Sequence, residues 1–451
     1  MMDAAWIKAR ANDVRKADEI DPALYTKYNV KRGLRNADGT GVLVGLTTIG
    51  NVHGYVVSEG DKFAVPGQLQ YRGVDVQDIA KHCAREHRPA FEEAAYLLLF
   101  GNLPTKAELA KWNDILANNR GFSPGYREKA IFEMPAKTGD LMNSLARAIL
   151  AAYAYDAKPD RLDIEGNLEQ SVDTIARMPM LAAYVYQAAE CARTGAKPEI
   201  LEAVPGMSTA EIFLTLLRGG HHRVKKLEAD VLDLALLLHA EHGGGNNSSF
   251  VTHVVTSSFT DLYSSIAASI LALKGSRHGG ANLRTMRQMD EIKRHVKDWS
   301  DEGAVASYLS KIVAKKAGDG TGLIYGLGHA VYTLSDPRAV LLKAKAERLA
   351  ESCGRLDEFK LYETVEAFGP QIIRKAHPKA AEACANVDLY SGFVYDMLGI
   401  PKELYTPLFA VARVVGWCAH RMEELDNSGP IVRPAYKPLY QSKKYVDLAA
   451  R

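Results

Sequence analysis

Residues 237–250 read LLHAEHGGGNNSSF, and the reading of this stretch decides the rest. It follows VLDLAL, residues 231–236, which is apolar at almost every position. A helix that is apolar on all sides is a central one. His239 and His242 stand three residues apart, a spacing that puts them on one helix face. The glycines at 243–245 break the helix, because glycine accepts the left-handed cap conformation. Asn246, Asn247, Ser248 and Ser249 are the side chains that cap a following helix. The expected product is a tight corner between a helix end and a helix start. Free N–H groups and imidazoles at such a corner suit a carboxylate ligand. Two blander arrangements stay open on these residues alone: a pair of hydrogen-bonded core histidines, or a metal site on His239 and His242. The second lacks the HExxH pattern of zinc proteases.

Outward from this stretch, helical periodicity runs through 91–99, 140–155, 174–192, 207–218, 229–242, 260–273, 282–297, 303–316, 338–352, 389–398 and 405–424. Alternating, strand-like pattern is concentrated at 42–72, where Gly and Pro punctuate short runs. The class is mainly α, with a small β element near the N-terminus. Segments 207–218, 229–242 and 260–273 carry few charges on any face and are expected to be central. The 451 residues suffice for a large core and two domains.

The formal net charge is +2, with acidic and basic residues interspersed, so nucleic acid and anionic membranes are not expected partners. No apolar run approaches the ~18 residues of a membrane span. The first twenty residues have no apolar signal core and carry Asp3, Asp13, Asp18 and Glu19, which speaks against a targeting peptide. The five cysteines (83, 191, 353, 384 and 418) show no CxxC pair. They read as reduced, buried thiols, and the expected location is cytoplasmic.

Further polar clusters interrupt apolar sequence. In GSRHGGAN, residues 275–282, His278 precedes a helix start and is either a plain turn histidine or an imidazole that the dipole keeps neutral and able to hydrogen-bond a developing enolate. In YGLGHAVYTLSDPRA, residues 325–339, His329 and Arg338 are two donors, and Arg binds carboxylates in bidentate fashion. Asp336-Pro337 equally suits a plain helix start. In NVDLYSGFVYDMLGIP, residues 386–401, Asp388 is either an N-cap or, partly desolvated, a general base. Arg413 lies inside the apolar helix of YTPLFAVARVVGWCAH, residues 405–420, and Arg433 in IVRP. A buried arginine needs a partner, and a bound anion would serve.

These motifs, together with LQYRGVDVQDIA at 69–80, occur in the order and spacing of the citrate synthase family, which includes the 2-methylcitrate synthases. The chain resembles that family from about residue 40 to its end; residues 1–40 receive no role. The resemblance implies a layered fold of about twenty helices in a large and a small domain. Chain order then assigns 1–282 and 394–451 to the large domain and 283–393 to the small one, with a cleft between them that closes on substrate. It also implies a homodimer, no cofactor and no metal, with acetyl-CoA and oxaloacetate as substrates.

By the resemblance, His278 steadies the acetyl-CoA enol, Asp388 removes the methyl proton and His329 polarises the oxaloacetate carbonyl. His242, Arg338 and Arg413 bind oxaloacetate, with Arg433 supplied by the other subunit. His239, Asn246 and Arg277 are supporting groups. The sequence departs from common family residues at Gly243, Ser276, Arg277 and Ala330, which bear on substrate preference and CoA contacts. Three alternatives remain: propionyl-CoA as substrate, giving 2-methylcitrate; a silent relative that binds CoA or a dicarboxylate; and a metal-dependent hydrolase on His239 and His242.

Overall fold

The computed structural model describes residues 3–36, 39–59, 61–134, 140–201, 206–219, 223–378, 382–427 and 429–450, apart from the side chains of Val57, Ser58 and Lys62. The chain divides into a short unit, Met1–Leu46, and a large one, Thr47–Arg451. The short unit contains helices α1 (Ala4–Ala17) and α2 (Ala23–Lys27). Asp3 caps α1 by accepting the Ala5 N–H at 2.9 Å.

The large unit opens with an antiparallel sheet in the order β1 (Gly50–Ser58), β2 (Asp61–Tyr71), β3 (Val74–Asp75). Gly50 faces Tyr71 and Ser58 faces Asp61. This is the β element that the alternating pattern predicted. Its second strand lies against the 331–335 loop: the Gly67 N–H donates to Ser335 O at 3.1 Å. A Cβ at Gly67 would stand 2.2 Å from that same oxygen, so only glycine allows this approach.

Helices follow. α3 (Val76–Arg85), α4 (Phe91–Phe100), α5 (Lys106–Asn118), α6 (Leu141–Ala152) and the 31-residue α7 (Ile164–Thr194) come first. Next are α8 (Thr209–Leu217), α9 (Lys226–His239), α10 (Asn247–Thr256) and α11 (Leu262–Lys274). Then come α12 (Ala281–His295), α13 (Glu302–Val313), α14 (Pro337–Ser352), α15 (Leu356–Ala376), α16 (Val387–Met397) and α17 (Tyr405–Asp426). The fold is mainly α, as the periodicity required. α8, α9 and α11 are buried over most of their lengths, in line with their apolar composition.

α17 is the axis of the core. Nearly every residue from Tyr405 to Arg421 is buried, and the helix touches α4, α7, α9, α10 and α11. Its two central arginines are held from outside the helix. Arg421 donates through Nε to Asn167 Oδ1 at 2.7 Å and through Nη2 to Thr260 O at 2.8 Å. α4 lacks a cap of its own; Asp233 of α9 accepts the Ala90 and Phe91 N–H groups at 2.7 and 3.1 Å instead.

Several expectations need correction. α9 ends at His239, so His239 and His242 do not share a helix face and the glycines do not end the helix. The Tyr71 hydroxyl explains it. It donates to Leu237 O at 2.7 Å and accepts the Glu241 N–H at 3.3 Å, taking up both groups of the next helical hydrogen bond. α7 begins ten residues before the predicted 174, because Asp163 caps it through the Gly166 N–H at 2.8 Å. The five cysteines are free, but only Cys83 and Cys418 are buried, and Cys353 is exposed. Among the described residues, no helix is long and apolar enough to cross a membrane.

Candidate active site

After α9 the chain runs irregularly through Glu241 and His242 to Gly243, which turns it with a φ of +83°. His239 donates its Nδ1 proton to Ala235 O at 2.6 Å, since a carbonyl can only accept. Its Nε2 therefore carries a lone pair, and that atom is buried without a partner. Burial lowers the His239 pKa to about 3. His242 is 8% exposed, and its Nε2 is likewise unpartnered. Burial, and next the Arg338 charge, hold it neutral, well below the ordinary histidine range.

The 325–339 loop brings His329 edge-on to His242, with ring centroids 5.2 Å apart. His329 Nδ1 accepts the Val331 and Tyr332 N–H groups at 3.1 and 3.2 Å. The proton of the neutral ring is thus fixed on Nε2, which is free to donate. Burial and then Arg338 lower this histidine to about 4. Tyr332 stacks on it at 4.6 Å.

Arg338 and Arg413 differ in pairing. Arg338 sits in the first turn of α14, where Asp336 is the N-cap and Pro337 follows it, so the plain helix-start reading also holds. Asp336 accepts Nε and Nη2 of Arg338 at 3.0 and 2.7 Å. Burial works against the charge of Arg338, but Asp336 outweighs it and raises the pKa. Arg413, fully buried on α17, donates Nε to His239 O at 2.6 Å and lies over the Phe409 ring at 4.8 Å. Both of its Nη atoms are buried without partners. Burial pulls its pKa down to about 10, against the opposing pull of Glu241.

His278 lies in the turn before α12, with Nε2 at 3.0 Å from Ser248 Oγ. That oxygen also accepts Trp417 Nε1–H at 3.1 Å and stands 3.1 Å from Asn246 Oδ1. Ser248 has one proton to give. Given to Asn246, it leaves a lone pair on His278 Nδ1; given to His278, it makes Nδ1–H a donor. Burial, then Arg413, lower His278 to about 4.

Asp388 lies in the first turn of α16, but the N-cap is Asn386, which accepts the Asp388 N–H at 3.0 Å. Asn386 also ties α16 to the histidine loop, donating Nδ2 to Gly328 O at 2.8 Å and its backbone N–H to Gly326 O at 2.9 Å. Burial raises Asp388 to about 6, against the pull of Arg338.

One electrostatic neighbourhood therefore joins His239, His242, His278, His329, Arg338, Asp388 and Arg413. Arg277 and Arg433 are exposed, and neither is among the charges acting on these histidines or on Asp388. Asn246 enters through Ser248. The metal reading of His239 and His242 finds no third ligand among the described residues. Sequence reasoning passed over Tyr71, Tyr332 and Phe409, and also the buried pair His420–Glu241, 3.0 Å apart. Burial works against the charge of His420, but Glu241 overcomes it and moves the group up to about 9. The signal for that pair was weak: one Glu and one His, each in an apolar helix context far apart in the chain. A cavity of about 900 Å³ lies elsewhere, lined by Trp112, Tyr126, Tyr155 and Arg177 among others.

By the family and the relatives it matches, the chain is a mostly helical acyltransferase. Residues 37–435 match the family described as Citrate synthase, C-terminal domain, and the chain belongs to the citrate synthase family. The citrate synthase of Haloferax volcanii is 34% identical over 385 residues, 84% of this chain and 91% of that protein. That of Acidithiobacillus ferridurans is 35% identical over 393 residues, 85% and 93% of the two chains. Among solved structures, Thermoplasma acidophilum citrate synthase in ternary complex with carboxymethyl coenzyme A and oxaloacetate superposes with a TM-score of 0.74 at 28% identity. The match covers 94% of this chain and 99% of that one. Citrate synthase from Pyrobaculum aerophilum gives 0.74 at 28% identity, covering 93% and 95%.

The contact between the histidine loop and α16 generates a prediction. Gly326 has a φ of +84°, and a Cβ there would stand 3.0 Å from Leu389 Cα, which is backbone and cannot swing away. Gly326→Val is expected to cost about 1–3 kcal/mol of stability. Denaturant unfolding of the variant checks this; an unchanged midpoint would contradict the close packing of loop and helix.

Proposed function

We propose that the protein is a citrate synthase, condensing acetyl-CoA with oxaloacetate and hydrolysing the resulting thioester to citrate and CoA. The observation that carries the reading is Arg413, a buried guanidinium with two unpartnered Nη atoms beside histidines held neutral. A small dianion supplies what this arrangement lacks. The complex named for the Thermoplasma relative, with a CoA derivative and oxaloacetate, supports the same assignment.

In the proposed mechanism Asp388 takes a proton from the acetyl methyl group. The oxygen that becomes an enol is held by neutral His278 acting as donor through Nδ1, the state in which Ser248 gives its proton to Nε2. The enol carbon attacks the oxaloacetate carbonyl, polarised by the Nε2–H of His329. Arg413, Arg338 and His242 bind the carboxylates, with Arg433 reaching in from the partner subunit of a homodimer. His239 supports Arg413 through its carbonyl oxygen, and Arg277, exposed beside His278, is available to CoA phosphates. Water then cleaves the thioester. Neutral donors and fixed cations aimed at developing negative charge are the principal source of rate in such a site.

We also infer a small domain at 283–393 that closes over the large one, no cofactor or metal in the reaction, and a cytoplasmic location. The test is thiol release from acetyl-CoA and from propionyl-CoA, each with and without oxaloacetate. Oxaloacetate-dependent release favouring acetyl-CoA is expected. Preference for propionyl-CoA would make the enzyme a 2-methylcitrate synthase, and release from neither would overturn the reading.

Three predictions rest on these roles. A base must be ionised to accept a proton, and Asp388 ionises at about 6, so kcat/KM should rise with pH through about 6 and level above it. Asp388→Ala should lose about 10²–10⁴ in kcat while still binding oxaloacetate. Near-normal turnover in that variant would remove the assignment. Asp388→Ala and Arg433→Ala should each be poorly active alone but regain activity when mixed as hybrid dimers. One site of each hybrid then has both residues intact. Absence of recovery in verified hybrids would place Arg433 outside the partner's site.

A further inference from the structure

Next to Glu241, α10 and α17 bring two histidines, His253 and His420, and two further glutamates, Glu423 and Glu424, together. We propose that His420 Nδ1, His253 Nε2 and Glu423 Oε2 form a binding site for a first-row divalent ion of the zinc class. Each ligand belongs to a side chain whose other polar atom is already held. His420 Nε2 rests on Glu241 Oε1 at 3.0 Å, and His253 Nδ1 on Glu424 Oε2 at 2.8 Å. Glu423 Oε1 accepts the Thr48 N–H and hydroxyl at 2.7 and 2.9 Å. One atom of each side chain is left facing inward, and the three lie within 4.8 Å of one another.

The spacing suits an ion. His420 Nδ1 stands 3.1 Å from His253 Nε2 and 3.8 Å from Glu423 Oε2. Tetrahedral ligands at ~2.0–2.1 Å from zinc stand about 3.3 Å apart. Histidines whose outer nitrogen rests on a carboxylate are the arrangement that fixes ring and tautomer at metal sites. Two nitrogens and one oxygen complete three of four positions, with water for the fourth. Without an ion, the proton that His420 holds up to about 9 lies on Nδ1 toward His253 and leaves Glu423 Oε2 3.8 Å away with no hydrogen bond; the ion takes the place of that proton. An ion satisfies that oxygen too. It would tie α10 to α17 beneath the segment carrying His242, and it takes no part in the proposed condensation.

The full chain, stripped with a chelator, is titrated with cobalt(II) and, separately, zinc. The account expects the visible bands of a four-coordinate cobalt and one zinc per chain by equilibrium dialysis. His253→Ala should abolish the bands. Glu424→Gln, which keeps every ligand, should weaken zinc by about 10–100-fold. His242→Ala should leave uptake unchanged. Circular dichroism of the stripped proteins reports folding; if His253→Ala does not fold, Glu424→Gln decides. No uptake by the wild type, uptake indifferent to Glu424→Gln, or uptake lost in His242→Ala instead would each overturn the site, whatever the outcome for thiol release.

Discussion

A buried positive charge organises this protein. Arg413 lies in the middle of α17, a deeply buried helix, and only its Nε finds a hydrogen-bond acceptor, the carbonyl of His239. Leaving buried polar groups unpaired costs about 1–3 kcal/mol each, and more for charged ones. Evolution removes such costs unless they serve a purpose. Here the surroundings lessen the cost without removing it: Phe409 offers its ring face, and Glu241 an opposing charge that is itself taken up by His420. The two Nη atoms stay available, and an oxygen pair from outside completes them.

Burial, and after it the same positive field, sets the protonation of the histidines and of Asp388. Arg338 and Arg413 push the neighbouring histidines the way burial already does, so His242, His278 and His329 are neutral at physiological pH. Neutral imidazoles donate through one nitrogen and accept through the other, so each ring's partner decides which nitrogen acts. Backbone N–H groups make that decision for His329; Ser248 makes it for His278. Asp388 is moved up by burial but restrained by Arg338, and ionises at about 6. A base in that range is ionised at neutral pH yet still basic enough to take a carbon-bound proton.

Much of this was legible in the chain because the functional side chains stand where apolar sequence or glycine makes them conspicuous. Arg413 in VARVVGW, His329 directly after Gly326 and Gly328, and Asp388 ahead of an apolar helix all break a local pattern. The illegible parts depend on contacts between distant segments. The helix end at His239 is set by Tyr71, which intercepts the bond between Leu237 and Glu241. The cap of α16 is Asn386 because that side chain also holds Gly328, so neighbouring Asp388 is free for chemistry. α15 was missed because Gly369-Pro370 reads as a breaker, yet the helix carries both. The role of Glu241 could not be read at all, since its partner His420 is 179 residues away. Arg433 is exposed in its own chain, and only the family resemblance gives it a role.

The most direct test of the central claim is the thermal stability of the wild type and of Arg413→Met, with and without oxaloacetate. A ligand that binds only the folded state stabilises it by RT ln(1 + L/Kd), where L is the free ligand concentration, and so raises Tm as that concentration rises above Kd. The account predicts a clear rise for the wild type and none for the variant. It also predicts that the ligand-free variant is folded and loses little stability, because the substitution removes a buried charge along with its single bond. A variant that still gained stability from oxaloacetate would contradict the account: the guanidinium of Arg413 would then be structural, and the dicarboxylate would bind elsewhere.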